Sequence, residues 1–535
     1  MKMQFSSIPA WPPLAWCAEL DGNDRRLSVR HGHGVETGAT WFCEGVWDRP
    51  FGDTSFADSD CFFGSGAVLL GKQLSFISSC APMDRLYHAQ VEDTWWVSNS
   101  LACLMAQMSA ECDSCYATFE EESFKITYGI DDYAQTLKTT KGMVVMTICR
   151  NLRFENDNIC QVEKNHPRRS FREFEEYIAL LESSLKAIAE NGQSSARERK
   201  YSMLSGISTG YDSPMICALA KRAGLKEAFT FSRARGGADD DGSEIGQHLG
   251  LTVHKVDRYA WKKCSFPEVP FVAAVGFASG VELAGVGELL HQKLYLSGCF
   301  GDEIWGVGSS AEKIENYKRK EHTGLDISEF RLWAGFLHIP VPYIGYSGLR
   351  DILRISKSHE MKEWDVSNTP YEHYSRPIPR RVVEEAGVPR KAFATEKKAA
   401  TYGDFETNLT KTTLREVYAF NQEHCGRTLV QKYPEKVPFG GWGARTGTKW
   451  RRPFAPSLWD HLIFSVVTFV SLALVQIGSK SFRGSGRVRT IGQYVQGLRS
   501  YEFSFNQSFP WALRAAMQRY SSDSSELSSL KDNGR

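Results

Sequence analysis

Between residues 201 and 298 the sequence alternates short apolar runs with helical stretches, and that alternation admits few folds. YSMLSGI (201–207), EAFTFS (227–232), LTVHKVD (251–257) and KLYLSG (293–298) read as strands. Between them, PMICALAKRAG (214–224) reads as a helix with proline in its first turn and glycine just past its end. DGSEIGQHLG (241–250) is a shorter helix closed by glycine. Strands joined through helices imply a parallel sheet with right-handed crossovers. Such a sheet gathers the carboxyl ends of its strands along one edge, where ligands bind.

Residues 1–165 have a different character. GAVLL (66–70), QLSFIS (73–78), TWWVS (94–98) and MVVMTIC (143–149) read as strands separated by turn-prone Gly, Asp and Asn. The period then changes: Phe171, Phe174, Ile178, Leu181, Leu185 and Ile188 fall on one helical face, and Ser170 with Glu173 makes a capping box ahead of them. The polar stretch NGQSSARER (191–199) reads as an interdomain connection. The expected division is therefore 1–165, 166–520 and a tail at 521–535 with too little to bury to become ordered.

Composition excludes the unusual classes. Hydrophobic residues at 42% and charged residues at 24% are ordinary for a globular chain. Lys and Arg at 64 against Asp and Glu at 63 leave a net charge of +1, which gives no strong signal for nucleic acid or an acidic membrane. Thirteen cysteines without repeated spacing, behind a start (MKMQFSSIPAWPP) with no apolar signal core, read as reduced thiols in a cytoplasm. LIFSVVTFVSLALVQIG (462–478) is uncharged but shorter than the ~20 residues of a membrane span, and reads as a buried helix. Cys112 and Cys115 lack a second pair and His31 and His33 lack a third ligand, so neither pair predicts a metal site. Trp41, Trp47, Trp95 and Trp96 read as core.

Chemistry concentrates in two loops. SGISTGYDSP (205–214) joins a strand to a helix through small residues, so its amides and the helix start can face an anion, with hydroxyls from Ser208, Thr209 and Ser213 as further donors. Asp212 would repel a bare phosphate, but a magnesium ion shared between carboxylate and phosphate reconciles the two. SGCFGDEIWG (297–306) follows another strand, so Asp302 and Glu303 are expected to face the same crevice and supply a second carboxylate.

Together these segments resemble the asparagine synthetase family of ATP pyrophosphatases. STGYDS (208–213) is similar to its SGGxDS pyrophosphate loop, with Thr209 in place of the first glycine. TFSRARGGADDDGSEIGQHLGLTVHKV (230–256) resembles its stretch ending in LG-x-x-H, SGCFGDEIWG its SG-x-G-x-DE-x-x-GG, and RRPFAPSLWD (451–460) its R-x-PFLD. GAVLLGKQLSFISSCAPMDRLYHA (66–89) and WWVSNSLACLM (95–105) look like the body of its glutaminase domain. The resemblance implies an α/β protein: a degenerate Ntn-glutaminase-like α+β domain over 1–165, then a parallel-sheet, adenine-nucleotide α-hydrolase-like ATP pyrophosphatase domain over 166–520. It also implies a reaction in which a carboxylate attacks the α-phosphate of ATP and an amine then displaces AMP. By position, Ser208, Gly210, Asp212 and Ser213 would hold pyrophosphate, with Thr209 in the same loop. Ser232, Ser297 and Gly298 would border the adenosine, and Asp212 with Asp302 would hold Mg²⁺. The family's lysine after PFLD, which stabilises charge on the adenylate, is best matched by Lys480, with Arg483, Arg487 and Arg489 as competitors.

The departures narrow the expectation. The family's glutaminase uses an N-terminal cysteine, whereas this chain begins Met1-Lys2-Met3 and its first cysteine is Cys17. Cys299 stands where asparagine synthetases carry an acidic residue. Both features resemble the relatives that lost glutaminase activity, the β-lactam synthetases and lasso-peptide macrolactam synthetases. The expected activity is a glutamine-independent, AMP-forming amide ligase using ATP and Mg²⁺. Its substrate would be a small molecule or peptide with a carboxylate and an amine, with a peptide-delivery or protease partner. A tRNA-modifying pyrophosphatase and a non-catalytic synthetase-like binding protein are the alternatives. The first would want a catalytic cysteine pair and a basic face; Asp212, Ser213, Asp302 and Glu303 speak against the second.

Overall fold

The alternation seen in the first 165 residues builds strands β1 (Lys2–Ser7), β2 (Trp16–Asp21), β3 (Arg26–His31), β4 (Glu36–Thr37), β5 (Trp41–Val46), β6 (Phe63–Leu70), β7 (Gln73–Ile77), β8 (Leu86–Val91), β9 (Thr94–Ser98), β10 (Thr136–Thr139), β11 (Gly142–Thr147), β12 (Asn151–Glu155) and β13 (Asn158–Val162). They form two sheets, ordered β1-β3-β2-β9-β8-β11-β10 and β13-β12-β7-β6-β5-β4. All pairs are antiparallel except β1 with β3. Every second side chain points inward: Trp16, Ala18 and Leu20 of β2 and Val97 of β9 meet Ala67 of β6 and Leu74 and Phe76 of β7 in one apolar layer between the sheets. Trp47 and Trp95 are buried, while Trp41 and Trp96 are half-buried against neighbouring clusters. The computed structural model describes residues 1–21, 26–52, 54–112, 126, 129–130, 136–164, 168–234, 237–264, 267–276, 278–308, 324–366, 375–394, 409–424 and 508–521. Lys480, Cys115, the stretch 451–460 and the expected buried helix at 462–478 lie outside the described residues.

Helix α1 (Leu101–Gln107) starts at Ser100, whose hydroxyl accepts from the Cys103 amide at 3.0 Å. Helix α2 (Phe174–Gly192) buries Phe174, Ile178, Leu181, Leu185 and Ile188 along the expected face. The expected capping box does not form. Ser170 instead donates to Asp351 at 3.0 Å, and Glu173 occupies the N-cap without a side-chain bond. A tertiary acceptor has outcompeted the local one.

The alternating region forms the four expected strands and two expected helices, β14 (Ser202–Gly206), α3 (Asp212–Arg222), β15 (Glu227–Thr230), α4 (Ser243–His248), β16 (Thr252–Lys255) and β17 (Lys293–Ser297), and the structure adds α5 (Val269–Val275), α6 (Gly301–Ile304), α7 (Ile327–Ala334) and β18 (Leu337–Pro340). These five strands are all parallel, in the order β16-β15-β14-β17-β18. The chain is thus a mixed α/β protein with both antiparallel and parallel sheets. Among the further helices of the described residues, α8 (Pro377–Glu385) packs on α3, and α9 (Ser508–Met517) packs on α1 and α5. No helix among the described residues is long and apolar enough to cross a membrane.

The stretch 191–199 is solvated only in part: Gln193, Ser195, Ala196 and Glu198 are exposed, but the segment is anchored by two buried side chains. Asn191 and Arg197 are buried. The Arg197 guanidinium donates to Glu36 at 2.6 Å, to the Gly45 carbonyl at 2.8 Å and to Asn191 Oδ1 at 2.6 Å. A second buried cluster joins the same two regions: Arg331 of α7 donates to Glu44 at 2.6 and 3.0 Å and also bonds Asp84. Ser65 and Asn99 donate to the same Glu44 at 2.6 and 3.2 Å. Burial works to raise the Glu44 carboxyl pKa, and the Arg331 charge and hydrogen bonds oppose it.

Two stability predictions follow from burial. Arg331→Met strands Glu44 and Asp84 in the interior, so it should cost about 3–5 kcal/mol, read as a lower denaturant midpoint. His88 is buried against Trp95, its Nδ1 makes no hydrogen bond among the described residues, and burial lowers its pKa to about 4. The unfolded chain binds that proton near pH 6.5 and the folded one only near 4, so its contribution is complete above 6.5 and lost as pH falls through that window. Unfolding measured between pH 6 and 4.5 should therefore lose about 1.4 kcal/mol per pH unit of acid sensitivity in His88→Gln relative to the unaltered chain.

Candidate functional site

From β14 the chain steps outward to β15 and β16, then returns past β14 to β17 and β18. The strand order reverses between β14 and β17, the place where a parallel sheet generally receives its ligands. The loops leaving the carboxyl ends there are Ile207–Tyr211 and Gly298–Phe300, the two stretches singled out in the sequence.

Glycine lets them meet. A Cβ on Gly298 would lie 2.7 Å from the Asp212 Cβ, and one on Gly301 would lie 2.7 Å from the Asp212 Cγ and 2.8 Å from the Trp305 ring. Asp212, first residue of α3, therefore packs its carboxylate directly on the turn that leads to Asp302. Phe300 holds that turn in the left-handed region, φ 76°, with its ring stacked on Tyr343 at 5.2 Å.

The 208–213 loop is closed on its own side chains. The Ser208 amide donates to Ser213 Oγ at 3.0 Å, the two hydroxyls lie 2.9 Å apart, and the Gly210 amide donates to Ser208 Oγ at 3.3 Å. The Thr209 amide and hydroxyl both donate to Asp240, at 3.0 and 2.7 Å. Asp240 thus takes two donors that a phosphate would use. It is carried there by the loop after β15, where Ser232 sits at φ 22° and its carbonyl accepts from the Asp240 amide at 3.0 Å.

Asp212 is also engaged within the protein. The Arg376 guanidinium, at the start of α8, bonds both of its carboxylate oxygens. Arg376 and Arg380 lie over the Tyr211 ring at 5.9 and 5.2 Å, and Arg380 donates to the Tyr211 hydroxyl at 2.7 Å. Glu303 is buried, whereas Asp302 is part-exposed and makes no side-chain hydrogen bond or ion pair among the described residues. No group of three or more His, Cys, Asp or Glu residues able to hold a metal occurs among the described residues.

The fold thus brings together Ser208, Thr209, Gly210, Asp212, Ser213, Ser297, Gly298 and the Asp302 turn, with Ser232 one loop away. Cys17 is buried within β2 beside Cys103. Sequence reading missed Asp240, Arg376 and Arg380. Asp240 left a trace in the acidic run ADDDG (238–242), but an arginine 164 positions from Asp212 left none. No protein-family profile matches the chain, and no curated protein is significantly similar to it.

The close approach at Gly301 is testable. Gly301→Ala should destabilise by about 1–3 kcal/mol through overpacking against Asp212 and Trp305. Gly308→Ala, where an added Cβ meets nothing within 4 Å among the described residues, should stay within about 0.5 kcal/mol in the same denaturant titration.

Proposed function

We propose that this site binds Mg·ATP and that the protein is an AMP-forming amide ligase with an adenine-nucleotide α-hydrolase-like parallel-sheet domain. The observation that carries the reading is the contact of Asp212 with the Gly298–Gly301 turn at the point where the strand order reverses. A strand–small-residue loop–helix unit at a switch point suits a polyphosphate. Sequence resemblance supplies the remainder.

In this reading a substrate carboxylate oxygen attacks the α-phosphorus, the bond to the β-phosphate oxygen breaks, and pyrophosphate leaves. An amine then attacks the acyl carbon, loses a proton and expels AMP. Ser208, Gly210 and Ser213 offer donors to the pyrophosphate by exchanging their mutual bonds for bonds to its oxygens. Arg376 can turn its planar fork from Asp212 to a phosphate oxygen, which a guanidinium serves equally well. Asp302 and Asp212 would hold the magnesium, which neutralises charge growing on the leaving group. Donors aimed at that developing charge are the largest catalytic effect such a site can supply. The substrate would be a peptide or small molecule carrying both carboxylate and amine. One feature favours a non-catalytic binding protein as second reading: Asp240 already satisfies Thr209.

Thermal unfolding tests this without knowledge of the other substrates. Mg·ATP at a hundredfold its dissociation constant should stabilise by about 2.7 kcal/mol, a visible rise in Tm that requires magnesium. Asp302→Asn should retain the unliganded Tm and lose most of the rise. No shift at millimolar Mg·ATP in the unaltered protein sinks the nucleotide reading. A shift without pyrophosphate release on any carboxylate would favour the binding protein.

A further inference from the structure

Ser297 closes β17 at the carboxyl edge, immediately before the glycine that abuts Asp212. Its hydroxyl lies 2.6 Å from Nε2 of His338, on the neighbouring strand β18. Both side chains are buried, and the His338 ring stacks on Tyr295 at 5.4 Å, its register partner across the β17–β18 pair. We propose that His338 is a positioning residue that fixes the Ser297 hydroxyl as a hydrogen-bond donor toward an acceptor oxygen or nitrogen of the bound nucleotide. This inference rests on the nucleotide reading of the site.

The geometry works through the tautomer. Burial, with the Arg331 charge adding to it, lowers the His338 pKa to about 3, so the ring is neutral and carries a single ring proton. Its Nδ1 is buried and has no hydrogen-bond partner among the described residues. A proton placed there would be a buried donor without an acceptor, whereas a proton on Nε2 is bonded to Ser297 Oγ. The Nε2-protonated ring is therefore the favoured form, and Ser297 is its acceptor. A hydroxyl that accepts in this way still has its own proton to place. Ser297 makes no other side-chain hydrogen bond among the described residues, so that proton is unspent at the sheet edge. With the opposite tautomer Ser297 would donate inward to the imidazole and offer a ligand only lone pairs, which a phosphate oxygen or an unprotonated ring nitrogen would repel. A histidine buried in the second strand thereby sets the polarity of a serine in the first. Nothing in the loop sequence marks it, because His338 lies 41 positions further along the chain.

Two measurements on the full-length protein test it. In ¹⁵N-histidine spectra, with the resonance assigned by its loss in His338→Gln, the ring should show the neutral, Nε2-protonated pattern unchanged from pH 5 to 8. An Nδ1-protonated or titrating ring overturns the proposal. Separately, Mg·ATP dissociation constants are compared for the unaltered protein, Ser297→Ala, His338→Phe and the double variant. Ser297→Ala and His338→Phe should each weaken binding about tenfold, the effect of one lost hydrogen bond. The double variant should be no weaker than Ser297→Ala. His338→Gln, whose amide can donate from the same place, should bind within about threefold of the unaltered protein. His338→Phe binding as tightly as the unaltered protein, or weakening Ser297→Ala further, overturns the positioning role. If the unaltered protein binds no Mg·ATP while the Nε2-protonated ring is seen, the nucleotide reading fails on its own, and Ser297 stands as a donor for a different acceptor.

Discussion

Arg331 sits between two carboxylates that come from strands and turns far earlier in the chain, and the arrangement of the whole molecule leans on that contact. A guanidinium taken out of water is tolerable only when its donors and charge are both matched, and Glu44 and Asp84 match them. Glu44 is further tied through Ser65 to the Trp16 indole, so the cluster reaches into the antiparallel layer. Arg197 repeats the device a short distance away with Glu36. Three buried ion pairs, two on Arg331 and one on Arg197, tie the antiparallel sheets to the segments flanking the parallel one. Apolar packing alone, being non-directional, specifies such a contact poorly.

That frame matters because the site is built by close approach rather than by one rigid element. Asp212 can rest on the Gly298–Gly301 turn only where neither glycine has a side chain, and Arg376 can reach Asp212 only because α8 packs against α3. The tail of the described chain adds a third constraint. Tyr520 donates to the buried Glu329 of α7 at 2.5 Å, and its carbonyl accepts from Gln107 of α1 at 2.8 Å. Residues from both ends of the sequence therefore brace α7, the helix that carries Arg331.

Much of this was legible locally. Strand and helix periods from 201 to 298, the apolar face of α2 and the two glycine loops all rest on interactions within a few residues, which sequence pattern reports faithfully. The structure adds to the local pattern where a distant partner competes with a near one. Ser170 carried the pattern of a capping box, yet Asp351 claimed its hydroxyl. The stretch 191–199 carried a linker's composition, yet Glu36 drew Arg197 inside. The loop at 208–213 carried the pattern of an open anion cradle, yet Asp240 took the Thr209 donors. In each case a polar side chain met a partner more than thirty positions away or one placed by another loop, and no local period records such a partner.

The sequence by itself determined the alternation of strand and helix, the presence of two small-residue loops behind strands, and hence that a parallel sheet would offer both loops to one edge. Those properties follow from backbone geometry and the period of apolar residues, which act over a single element. Only the tertiary structure decided which strands flank the reversal, that Asp212 is bonded by Arg376, and that Ser297 faces His338. These depend on which elements become neighbours once the core closes. Charge, hydrogen bonding and tautomer are set by such neighbours in space, whatever their separation along the chain.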